Sequence, residues 1–188
     1  MEVVLTICLG VGLSAACGFR VFVPFLIVSI ASMSGHLELA DGFTWIGTWP
    51  ALVVFAVATV LEIVAYYVPW VDNLLDSVAT PAAVVAGIVL TASVVGQVSP
   101  LLRWSLALIA GGGVAGIVQV STDTVRLTST ATTAGLANPV VSTAEAGASA
   151  VMSVVSIVLP ILAAVLVLAL AMLIFRLLFG RRGHLQRA

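Results

Sequence analysis

Between Val3 and Met33 the chain carries a single charged side chain, Arg20, in an otherwise apolar and small-residue run. A helix needs about 20 apolar residues to cross a hydrocarbon core. An arginine at that depth costs roughly 3 kcal/mol on insertion scales, so a chain keeps one only where something answers it. Backbone facing lipid must satisfy its own hydrogen bonds, as a helix does. The expected fold is therefore all-α, a polytopic transmembrane helix bundle with an ion-bearing interior. Composition agrees: 62% hydrophobic and 8% charged residues, at a mean hydropathy of +1.26, leave too little polar surface to coat a soluble globule. A net charge of -1 excludes nucleic acid as a partner held by a broad basic surface.

Ser14-Ala15-Ala16 before Cys17 resembles a signal cleavage site. The n-region holds only the amino terminus and Glu2, and Ser14 stands where a lipoprotein signal wants an aliphatic residue, so the segment reads as a retained first helix. Cys8 and Cys17 fall on opposite sides of that helix and read as packing thiols, neither a disulfide nor metal ligands. The first span, Val3 to Met33, is longer than a perpendicular crossing needs. It must tilt, or break near Gly18 or before Pro24. Gly10, Gly12, Ser14, Ala15, Ala16 and Gly18 let neighbouring helices approach closely.

Trp45 and Trp49 read as interface anchors in the loop from Ser34 to Trp49, and Pro50 suits the first turn of a second span, Ala51 to Val68. That span carries Glu62, with Tyr66 one turn on. Glu62 is either a counter-ion for Arg20, the preferred reading, or an acid near the helix end that reaches water. Asp72 and Asp76, at i and i+4, share one face of any helix there; they form a cation or proton site, or they cap and solubilise a loop. Thr80-Pro81 fits an N-cap with proline at N1, opening a third span from Ala82 to Val98.

Pro100 and Arg103-Trp104 introduce a fourth span, Leu101 to Val120. Gly111 to Gly116 matches the dinucleotide fingerprint only formally, with no strand before it and no acid after it. Gly112 and Gly116 instead form a small-residue packing face. Gln119, Asp123, Arg126, Thr130 and Thr133 then recur every three or four residues, one polar stripe on a continuing helix. The stripe lines a watery cavity or faces solvent beyond the bilayer, and Asp123 and Arg126 are spaced to neutralise each other. Asn138-Pro139 marks a break, with a helix restarting near Val140 and Glu145 in its first turns, where a carboxylate complements the helix dipole. If that segment is embedded or re-entrant, Glu145 joins the buried charges. A last span, Val151 to Phe179, kinks at Pro160.

The sum is about five spans with a broken polar segment before the last. Residues 1–179 form a single transmembrane domain and 180–188 a basic cytoplasmic tail. Arg103, Arg176, Arg181, Arg182 and Arg187 fall on one side and Arg126 on the other, which predicts a multi-pass protein of the cytoplasmic membrane with its C-terminus in the cytoplasm.

The Gly18 to Pro24 segment, Pro69 to Asp76 through Thr80-Pro81, and Ser129 to Thr133 through Asn138-Pro139 and Glu145 together resemble a bacterial integral-membrane family catalogued as a domain of unknown function. The resemblance spans nearly the whole chain and implies a membrane protein without implying an activity.

No HExxH, GxSxG or CxxC occurs, and His36 and His184 lie in a loop and a tail, so neither an enzyme, a metal site nor a cofactor is expected. Two functions remain. One is a small transporter or channel for an ion or small polar or anionic solute, with a polar path of Arg20, Glu62, Gln119, Asp123, Arg126, Asn138 and Glu145. The other is a non-transporting scaffold or lipid-binding partner in which Arg20 and Glu62 form a structural ion pair. Small-residue faces leave room for a homo-oligomer under both.

Overall fold

Proline and hydroxyl caps set most of the helix starts. The computed structural model describes residues 1–67 and 69–179, and for 69–74, 76, 77, 175 and 177–179 it describes the backbone alone. The predicted tail, 180–188, lies outside the described residues. Seven helices are present among them: α1 (Glu2–Phe19), α2 (Phe22–Met33), α3 (Trp49–Ala65), α4 (Pro69–Val94), α5 (Pro100–Thr133), α6 (Asn138–Val158) and α7 (Pro160–Phe179). Thr48 Oγ1 accepts from the Ala51 N–H ahead of α3, and Ser99 Oγ from the Leu102 N–H ahead of α5. Pro50, Pro100 and Pro139 occupy first turns, where the missing N–H has no helical partner to lose. α5 ends on Ala134 and Gly135 in the left-handed region, at φ 52 and 83°.

Small residues make α1 the central helix. It is buried along Leu9, Gly10 and Gly12 to Gly18, and packs against α4, α5, α6 and α7. Side-chain hydroxyls cross to backbone carbonyls at these contacts: Thr91 Oγ1 donates to Gly10 O at 3.1 Å, Ser149 Oγ to Ala16 O at 2.9 Å, and Ser14 Oγ to Gly111 O. Such bonds hold helices together where lipid offers no hydrophobic incentive. Gly111 lies in a π-helical stretch, Ala107–Gly112, and a Cβ there would stand 2.7 Å from Gly87 O. Gly112 and Gly116 face Ile88 and Val84 of α4.

The contacts fix each helix's direction. Arg20 meets Ser142, Ala16 meets Ser149 and Gly12 meets Ser156, so α6 runs against α1. α2 runs with α6, since Ile27 and Ile30 share a pocket with Val154 and Ile157. The chain therefore breaks at Arg20–Val21, between the expected Gly18 and Pro24, but the break is a full reversal, so Val3 to Met33 is a helical hairpin instead of one long crossing. Arg20 leaves helical geometry, at φ -149 and ψ 134°. α3 opposes α2, α4 opposes α1 and α5 follows it. Gly12 also touches Ala163, and Ala15 clusters with Val167, so α7 runs with α1. The seven helices thus alternate in direction.

Three more expectations are corrected. α4 is continuous through Pro81, because the Thr80 hydroxyl goes to Asp123 Oδ2 at 3.1 Å instead of capping a new helix. At Pro160 the chain turns back on itself, so the segment read as one kinked span belongs to two antiparallel helices. Arg103 lies at the Met1 end of the bundle and Arg176 at the other, so the expected grouping of arginines on one side does not hold; the α4 backbone carrying Asp72 and Asp76 also lies at the Arg176 end.

Polarity is distributed from the inside out. Ser14, Ser29, Thr59, Thr91, Ser93, Gln119, Ser149 and Ser153 are buried, while Val53, Val57, Leu61, Leu108, Ile109, Leu127, Val151 and Leu168 are exposed. Three helices, α1, α5 and α6, are long and apolar enough to cross a membrane, and α2, α3 and the apolar parts of α4 and α7 are shorter. Trp45, Trp49 and Trp104 are exposed together at the Met1 end, as interfacial tryptophans are.

Candidate functional site: a buried ionic cluster beside a cavity

The break between α1 and α2 delivers Arg20 to the interior. Its guanidinium is 1% exposed. Nη2 donates to Ser142 O at 3.1 Å and Ser142 Oγ at 2.6 Å, and stands 3.2 Å from Glu145 Oε2. Glu145 also binds Arg126, through Nε to Oε1 at 3.0 Å and Nη2 to Oε2. This two-pronged geometry is the strong form of the arginine–carboxylate pair. Both guanidiniums lie over the Tyr66 ring, 3.8 and 4.0 Å from its centroid, so the ring face adds cation–π attraction.

Glu62 takes a different part from the one expected. Its oxygens accept the N–H groups of Val21 and Phe22 at 2.8 and 3.0 Å, so it caps the exposed start of α2 from a neighbouring helix. Arg20's carboxylate partner is Glu145. Glu62→Ala should cost about 1–2 kcal/mol, the usual loss of an N-cap, read as a lower midpoint of thermal unfolding in detergent. A midpoint unchanged from wild type would contradict the capping role.

The polar stripe on α5 divides. Gln119 Nε2 donates to Asp123 Oδ1 at 2.8 Å, and Asp123 also receives Thr80. Arg126, expected to pair with Asp123 at i+3, reaches across to Glu145. Thr130 and Asn138 serve the turn between α5 and α6 through a 3.0 Å bond, so Asn138 belongs to the turn and not to the buried cluster. Glu145 is two turns into α6, fully inside the protein. Asp72 and Asp76 lie on the α4 backbone, and their side chains fall outside the described residues. Tyr66, one turn beyond Glu62, and Ser142, one turn before Glu145, are not among the expected path residues. Ser142, Glu145, Ser149, Ser153 and Ser156 recur every three or four residues, a periodicity that marks one polar helix face.

A cavity of about 460 Å³ adjoins the cluster, within the usual range for small-molecule sites. Arg20, Glu62, Tyr66 and Gln119 line its polar end, and Phe22, Ala58, Leu61, Val78, Ala79 and Ala82 its apolar walls. Arg20 Nε and Nη1, both buried, have no hydrogen-bond partner. At 1.5 Å per residue α1 is about 27 Å long, so Arg20 sits near one end of a hydrocarbon thickness measured from Met1, and not at half depth as its place in the apolar run suggested.

A family described as a domain of unknown function (DUF4126) matches residues 7–179. No curated protein and no solved structure matches the chain.

Proposed function

We propose that this chain, which belongs to the DUF4126 family, is a small multi-pass transporter or channel for an ion or a small polar or anionic solute, with the buried cluster as its binding site. The observation that carries the reading is Arg20: a cavity-lining residue whose guanidinium is 1% exposed and has unmet donors. A charge kept only for packing has no use for adjoining space, and intramembrane ionisable groups mark solute sites. The helix break at Arg20 fits the same reading, since interrupted helices present backbone and side-chain groups to cargo.

We place the protein in the cytoplasmic membrane with its C-terminus inside, since Arg176 and the arginines following α7 outweigh Arg103 at the opposite end. The second reading, a non-transporting scaffold or lipid-binding partner, is favoured by the balance of Arg20 and Arg126 against Glu145 and Glu62. The deciding experiment is flux in proteoliposomes across a panel of ions and small polar or anionic solutes. Arg20→Ala and Arg20→Lys should each lower flux by about tenfold or more, equivalent to losing 1.4 kcal/mol of interaction. Flux equal to wild type in both would remove Arg20 from the path, and no flux of any panel member in the wild type would favour the scaffold.

A further inference from the structure

The cavity opens sideways. Over the described residues α3 and α4 lie apart, and the cavity opens between them, closed behind by the α1–α2 junction and Gln119. Its rim residues Leu61 and Val78 are 62 and 52% exposed on the outer surface of the bundle, the surface that meets lipid in a membrane. A solute entering here leaves the bilayer, not the aqueous phase, and passes apolar side chains before it reaches anything polar. Arg20 is among the residues that line the inner end, with its Nε and Nη1 buried. Of five guanidinium N–H groups, the two on Nη2 are engaged, and those on Nε and Nη1 have no acceptor. Buried donors left unmet cost about 1–3 kcal/mol each, so oxygen atoms supplied by a ligand would gain what the protein alone leaves unsatisfied.

Charge selects among oxygen-bearing ligands. Among the described residues at this end, the cations Arg20 and Arg126 are matched by the carboxylates Glu145 and Glu62. A further anion would enter a site whose two cations are already matched, with Glu62 on the cavity wall. Carbonyl or hydroxyl oxygens accept from the guanidinium without that repulsion.

We propose that the cavity between α3 and α4 binds an uncharged membrane amphiphile, whose carbonyl or hydroxyl end meets Arg20 and whose apolar chain lies between Leu61 and Val78. This inference goes beyond the proposed transport reading: it assigns the cavity a ligand of its own and does not require that ligand to be carried across the membrane. Binding and flux are separable, so each is tested on its own.

The experiment uses the full chain in nanodiscs with a long-chain alcohol bearing a photoreactive diazirine, and locates the adducts by mass spectrometry. Adducts on α3 and α4 at the cavity are expected. Val78→Trp and Ala58→Phe, two substitutions that fill the cavity from its rim and wall, should each reduce them by about tenfold or more. An excess of unlabelled long-chain alcohol should displace the probe, and the matching fatty carboxylate should not. Adducts unchanged in both filled variants, or displacement by carboxylate as effective as by alcohol, would overturn the proposal. Adducts that obey these rules in a protein with no flux of any ion or solute in the panel would sustain the binding site and overturn transport. Flux without cavity adducts would do the reverse.

Discussion

Glu145→Ala is expected to cost the protein about 3–5 kcal/mol of folding stability. The single carboxylate holds Arg20 and Arg126, each under 5% exposed, and its removal leaves two buried cations without it. Breaking a buried pair by deleting one partner costs about 3–5 kcal/mol, a large share of the roughly 5–15 kcal/mol that holds a typical domain together. Glu145→Asp should fall between, since a carboxylate one methylene shorter cannot reach both guanidiniums. Asp123→Asn is the comparison: Asp123 accepts from an amide and a hydroxyl, and the amide oxygen of asparagine can still accept one of them, so about 1 kcal/mol is at stake. Monodispersity and thermal midpoint in detergent rank the three. Equal effects at Glu145 and Asp123 would show that Glu145 does not hold the cluster.

Gly18→Val should be comparably damaging for a steric reason. A Cβ at Gly18 would stand 2.6 Å from Val118 Cβ and 2.7 Å from the Ala115 carbonyl oxygen. Neither obstacle can rotate away: a Cβ is fixed by the backbone, and a carbonyl in the middle of α5 can yield only if the two helices separate. Overpacking of this kind costs typically about 1–3 kcal/mol and more where backbone is the obstacle. The displacement also reaches Arg20, two residues along, so any protein that folds should lose flux as well. Gly113→Ala is the matched control: nothing lies within 4 Å of its added Cβ, and alanine in a helix interior gains about 0.5–1 kcal/mol over glycine. Gly113→Ala as harmful as Gly18→Val would refute the packing account.

The membrane class and the proline-marked helix starts were legible because they depend on local chemistry. Arg20 as an answered charge was legible too, but its partner was not. Glu62 is closer in the chain than Glu145, and only the antiparallel course of α6 brings the farther acid to the guanidinium. The reversal at Arg20–Val21 has no glycine or proline at the turn itself; it is stabilised by Glu62 on another helix, which no local pattern announces. Pro81 and Pro160 show the same limit from the other side. One proline is carried inside a helix whose neighbours hold it, and the other marks a full reversal, although both interrupt an apolar run in the same manner. The polar face of α6 is written in the three- and four-residue spacing from Ser142 to Ser156, on a helix that starts close to the expected Val140.

The claim on which the account turns is that open space reaches the buried arginine. Ala79 lines the cavity and is 7% exposed, while Ala83, one turn further along α4, is 0% exposed and outside the cavity lining. In a background with Cys8 and Cys17 replaced, Ala79→Cys and Ala83→Cys are treated with N-ethylmaleimide in the folded, membrane-embedded protein. Modification at position 79 with protection at 83 is the predicted result. Equal reactivity at both positions, or none at either until the protein is unfolded, would contradict it.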